Sequence, residues 1–172
     1  MMTSFISRID GEIDMETLLR IQKEFKDHTS SGASEIRLYI NSPGGSVQAG
    51  LMLHELISNS DVSVLGIAQG ECGSIALTVL QACDSRCAEE DVRFLAHGLS
   101  FVANTMMYYD MQLGLKVRDA HMSLQEDIIR LHVVRSGMSR ENFIALLIEG
   151  RELSARTAQK LGMIDGIIMG GH

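Results

Sequence analysis

At 172 residues, the chain is sized for one compact domain, residues 1–172, with enough length to bury a core. Hydrophobic residues at 45% and charged residues at 22% exclude a disordered chain. A net charge of −7, with no clustered Lys and Arg, argues against nucleic acid or an anionic membrane surface as the partner.

Taken in chain order, residues 14–26 form an amphipathic helix with Ile13, Met15, Leu18, Leu19, Ile21 and Phe25 on its apolar side. Residues 36–40 alternate like a strand, residues 41–45 break it, and residues 47–57 carry apolar side chains at helical spacing. The unit then repeats: a β-branched strand at 62–68, a glycine-containing bend at 69–73, and a helix at 74–82. Residues 92–96 read as a third strand, whereas no single period wins over 100–121, where Met106, Met107, Tyr108, Tyr109 and Met111 cluster. A helix covers 122–134, Ser139 caps another running through Ile148, Ser154 starts one more, and 163–168 form a short last strand. Strands alternating with helices imply parallel crossovers and an α/β layer architecture.

The longest apolar runs, such as residues 75–80, are too short to cross a bilayer, and the first four residues lack a signal-peptide pattern. A cytoplasmic, membrane-free protein is the expectation. Cys72, Cys83 and Cys87 are odd in number and match no zinc spacing, so they read as reduced thiols without a metal. Eleven methionines suit adaptable subunit contacts.

Two turns fall where crossover sheets place ligands, at the C-terminal ends of strands. Gly44 and Gly45 follow Pro43 there, and their bare backbone amides can either approach a substrate as oxyanion donors or simply make a tight turn. Ser74 opens a helix after the second bend, where it is either an ordinary N-cap or a nucleophile beside the Ile75 N–H. His97 closes the third strand and is the histidine positioned to serve as its base; His28, His54, His121, His132 and His172 lack that context.

The motifs around these residues resemble those of the ClpP family, the peptidase subunit of the Clp proteases. Ile40-Asn41-Ser42-Pro43-Gly44-Gly45-Ser46 with Ala49-Gly50 is similar to the family's first glycine motif. Gly70-Glu71-Cys72-Gly73-Ser74-Ile75-Ala76 resembles its nucleophile motif, Arg86-Cys87-Ala88 and Leu95-Ala96-His97 the segment ending in its histidine, and Leu153-Ser154-Ala155 through Asp165 its closing helix and strand. The similarity runs from about Phe5 to Ile168. It implies a ClpP/crotonase-like α/β fold of repeated β-β-α and βαβ units with a helical handle segment. It also implies an ATP-dependent, cofactor-free serine endopeptidase acting on unfolded polypeptides inside a homo-oligomeric chamber, a tetradecamer of two stacked seven-membered rings. In that scheme Ser74 is the nucleophile, His97 the base, and Gly45 and Ile75 form the oxyanion hole.

Three departures qualify the resemblance. Counting back from His97 by the family's interval lands on Cys72, a chemically competent alternative, whereas alignment by motif selects Ser74. The family's catalytic aspartate position is Gly150 here, which leaves Glu149, and after it Glu152, as candidate third members. The four residues before Phe5 are fewer than the family's axial loop, so docking of a hexameric AAA+ unfoldase is the least supported expectation. The missing aspartate motivates a second reading, a catalytically impaired structural subunit of a mixed ring. A third is a crotonase-type acyl-CoA enzyme, which shares the fold and glycine-built oxyanion holes and would not need Ser74.

Overall fold

The structure, a computed structural model, describes residues 3–98 and 111–168, with side chains described from residue 115 onward in the second stretch. The apolar cluster at 106–109 and His172 lie outside the described residues. Seven strands and six helices are described: β1 Ser4–Asp10, α1 Met15–Ser30, β2 Glu35–Ser42, α2 Val47–Ser58, β3 Ser63–Gly73, α3 Ile75–Gln81, β4 Ser85–Glu89, β5 Arg93–Leu95, α4 Met111–Ser136, α5 Arg140–Glu149, β6 Glu152–Ser154, α6 Ala155–Lys160 and β7 Gly166–Ile168.

The strands pair in the order β1-β2-β3-β4-β7, all parallel; β5 joins β3 in parallel, and β6 adds to β5 antiparallel. The α/β expectation is met. The first helix starts where Asp14 accepts the Thr17 N–H at 2.8 Å, and it buries Leu18, Ile21 and Phe25 against the sheet side. It runs to Ser30 rather than 26, because Thr29 turns its hydroxyl back onto the Phe25 carbonyl instead of breaking the helix. Isoleucines 9, 36 and 40, with Leu38 and Val64, fill the alternate inward positions of the strands and form the centre of the core.

Two structural details place the site. The bend expected at 69–73 is in fact a continuation of β3, kinked at Gly70. Gly70 has φ +54°, and a Cβ there would stand 2.8 Å from the Asn41 Oδ1 that accepts the Glu71 N–H. The register against β2 shifts between Ile40 and Ser42, as at a bulge. Before the kink β3 pairs with β4, and after it with β5, so the edge of β3 opposite β2 serves two neighbours in succession. The second detail is a clamp at the end of α4. Arg135 donates to the Gln81 and Cys83 carbonyls at 2.9 and 2.6 Å, while buried Arg86 reaches the Asp165 carboxylate, Gln81 Oε1 and the Arg135 carbonyl. Among the described residues, no helix is long and apolar enough to cross a membrane.

Candidate functional site

The candidate residues sit two or three residues beyond a single row of the sheet. Ser42, Cys72 and Phe94 are register partners across β2, β3 and β5. Gly44 lies two residues past that row, Ser74 two and His97 three, all at the C-terminal ends of parallel strands. Cys72, by contrast, lies within the row: its side chain is fully buried, and burial pushes its thiol far above the ordinary range. A thiolate nucleophile there has neither solvent nor a substrate path.

Ser74 has φ +53° and ψ −126°, the single positive φ outside glycine among the described residues. Such a conformation costs about 1–3 kcal/mol and persists where the surroundings enforce it. Here the ladder does so: the Ser74 N–H bonds the Leu95 carbonyl at 2.7 Å, continuing the β3–β5 pairing into the helix start. The other helix starts set this serine apart. Asp14, Ser46, Ser139 and Ser154 all cap their helices by accepting an N–H three residues on. Ser74 makes no such side-chain cap bond, so its hydroxyl is left for other work.

Gly44 lies against this serine, and Gly45 against Ile13 and Glu12. A Cβ at Gly44 would come within 2.7 Å of Ser74 Cβ and 3.3 Å of the Ile75 nitrogen, so the turn closes on the helix start only with glycine there. Gly44 donates its own N–H to the buried Ser42 hydroxyl at 3.1 Å. Next to it, Ile13 N–H bonds the Gly44 carbonyl and Ser46 N–H bonds the Ile13 carbonyl, each at 2.7 Å, a bridge that leaves the Gly45 N–H out. The Ile75 N–H is the first of α3 and has no intrahelical acceptor. The Ile75 N–H therefore stands next to Ser74 as a main-chain donor outside the helix ladder.

His97 follows β5, half-buried, and borders the same small cavity as Ser74 and Ile75. The two side chains share this cavity without a hydrogen bond between them; catalytic contacts of this kind tighten when substrate binds. His97 Nδ1 lies 2.8 Å from the Gly98 carbonyl oxygen. A carbonyl only accepts, so Nδ1 carries the proton and Nε2 keeps its lone pair.

Glu149 does not stand behind the imidazole. At the exposed end of α5 its carboxylate pairs with Arg151 at 2.7 Å, and Glu152 faces Arg93 at 3.6 Å across the β5–β6 pair. Gly150 is the position that does reach His97: a Cβ there would lie 4.0 Å from His97 Cβ. The orienting acceptor that the sequence did not reveal is thus a backbone carbonyl, which leaves no residue-type signal. Among the described residues, no group of three His, Cys, Asp or Glu side chains is arranged to hold a metal ion.

Comparisons with known proteins bear on the family and the fold. The Clp protease family pattern matches residues 4–171. An ATP-dependent Clp protease proteolytic subunit of Cyanophora paradoxa is 31% identical over 148 residues, covering 80% of this chain and 70% of that one. One of Mesostigma viride is 29% identical over 135 residues, covering 77% of this chain, and the match spans 57% of the relative's length. In three dimensions a ClpP1 mutant from Listeria monocytogenes superposes with a TM-score of 0.83 at 24% identity, covering 96% of this chain and 91% of the other, a likeness of fold.

Proposed function

We propose that this chain, which belongs to the Clp protease family, hydrolyses peptide bonds with Ser74 as nucleophile and His97 as base. The observation that carries the proposal is the Ser74 backbone: a strained, uncapped serine at a strand end, sharing a cavity with a histidine whose Nδ1 is already engaged. His97 Nε2 takes the Ser74 proton, and Oγ attacks the carbonyl carbon. The Gly45 and Ile75 N–H groups hold the resulting oxyanion, and the protonated imidazole then gives its proton to the leaving amine. Water, activated by the same nitrogen, releases the acyl group.

The substrate class is unfolded polypeptide or peptide, and the working form is an oligomeric chamber, a tetradecamer if assembly follows the family. Dependence on ATP would come from an AAA+ unfoldase docked on that chamber, the element of the proposal with the least support. A single peptidase domain over residues 1–172 and a cytoplasmic location belong to the same reading. The purified, assembled protein should release fluorophore from short peptides, and Ser74→Ala should remove the activity; hydrolysis that survives Ser74→Ala would sink the assignment.

A second reading, a structural subunit of a mixed ring, is favoured by one observation: among the described residues no carboxylate pairs with His97, and Gly150 stands where one would fit. The Gly98 carbonyl orients the ring but supplies no charge to stabilise the imidazolium. A slow enzyme and a scaffold are separated by whether the assembled particle can be acylated at all.

A further inference from the structure

Ser42 ends β2, is fully buried, and is the register partner of Cys72. Its hydroxyl accepts the Gly44 N–H at 3.1 Å and donates over 3.4 Å to the Gly44 carbonyl oxygen, which also takes the Ile13 N–H at 2.7 Å. Pro43, between them, has no N–H, so a side chain closes the turn that leaves β2. That turn rests on the nucleophile. A Cβ at Gly73 would stand 2.9 Å from the Pro43 carbonyl oxygen. One at Gly44 would stand 2.7 Å from Ser74 Cβ, 3.0 Å from the Gly73 carbonyl oxygen and 3.3 Å from the Ile75 nitrogen. Packing this close passes a displacement of the turn on to the helix start.

Resting on the peptidase reading above, we propose that Ser42 is a positioning residue for the acylation step: by holding the Gly44 N–H it fixes the turn against which Ser74 and the Ile75 N–H are aligned. The same pair of contacts occurs at Ser60, whose hydroxyl accepts the Val62 N–H at 3.2 Å and donates to the Val62 carbonyl at 2.8 Å. Ser60 precedes the start of β3, the opposite end of that strand from Ser74. The hydroxyl motif is thus a turn device in both places, and what sets Ser42 apart is what its turn touches. Ser42 and Gly44 are both buried, so the hydroxyl reaches no substrate and the Gly44 N–H needs a partner inside the protein. Gly44, at φ +111°, has the wide conformational freedom of glycine, and the Ser42 bond anchors its amide. With alanine at 42 that N–H is orphaned, and the turn must shift to satisfy it. A shift of about 1 Å beside the reacting atoms is enough to slow the step tenfold or more.

The test is the rate at which a fluorophosphonate acylates Ser74 in the assembled protein, read by intact mass beside the urea midpoint. Ser42→Ala is expected to acylate about tenfold more slowly, with peptide kcat lowered to match and KM little changed. Ser60→Ala removes the same contacts at the other end of β3 and should shift the midpoint while acylating at the wild-type rate. Ser42→Thr keeps a hydroxyl and should recover most of the loss. Should Ser42→Ala not assemble, Ser42→Cys, close to serine in shape but a weak acceptor, replaces it with the same expected slowing. A folded, assembled Ser42→Ala that acylates at the wild-type rate or faster overturns the proposal. So does an equal slowing in Ser60→Ala, or a folded Ser42→Thr as slow as alanine. Wild type that takes no label removes the peptidase reading and this proposal with it, whereas labelled wild type with an unaffected Ser42→Ala removes the proposal alone.

Discussion

Ser74 pays in backbone energy for a hydroxyl that faces the cavity, and this can be measured apart from catalysis. Ser74→Gly should raise stability by about 1 kcal/mol, because glycine adopts φ +53° freely, while acylation is lost. Ser74→Ala keeps the strain and should leave the unfolding midpoint nearly unchanged; equal stability of the glycine and alanine variants would contradict the strain. Gly150 offers the converse experiment. Its φ of +57° is a conformation that aspartate tolerates better than most residues, and a side chain there starts 4.0 Å from His97 Cβ. Gly150→Asp is expected to raise the acylation rate by roughly tenfold or more, since an orienting carboxylate also stabilises the imidazolium. No gain would mean that the Gly98 carbonyl already supplies all the orientation that matters. Sequence could name Ser74 and His97 and could note the glycine at 150, because residue type and position carry that information. It could not choose between cap and nucleophile, a distinction held in one φ angle, nor find Gly98, whose contribution is a carbonyl common to every residue.

Register separates the two candidates that spacing along the chain left open. Counting along the chain favours Cys72 and matching the motif favours Ser74; the pairing of Cys72 with Ser42 and Phe94 puts the thiol inside the ladder and the hydroxyl beyond it. The elements that escaped sequence reading share a cause. Ser4–Asp10 is an edge strand rich in polar residues, Ser85–Glu89 has five residues without a β-branched one, and Glu152–Ser154 has three, too few for any period to emerge. The helix Met15–Ser30, the second half of α4, the strand Glu35–Ser42 and the first part of Ser63–Gly73 were legible because burial imposes their pattern, whereas residues 111–121 of α4 and 69–73 of β3 were not. At this scale the clamp on α4 is also testable. Arg86, its side chain 6% exposed, relies on Asp165 for charge balance, and Asp165→Asn should cost about 2 kcal/mol in urea unfolding. An unchanged midpoint would show that Gln81 and the Arg135 carbonyl suffice.

For the whole molecule, buried histidine sets an acid limit on stability. His132 titrates near 6.5 when unfolded and near 3 when folded, so between those values the unfolded chain binds more protons and stability rises with pH. The loss on acidification is at most about 1.4 kcal/mol per pH unit, hence about 2 kcal/mol from pH 6.5 to 5. His54, whose pKa is lowered by burial and by Arg135, acts in the same direction. Comparing unfolding at pH 7 and pH 5 in the wild type and His132→Gln isolates the His132 share, and an unchanged slope in the variant would refute it.

The most direct measurement is intact-mass analysis of the assembled protein after exposure to a fluorophosphonate, followed by mapping of the modified peptide. One adduct per chain on Ser74, absent in Ser74→Ala, is the expected result. An unmodified particle, or an adduct that maps to another residue, would contradict the account.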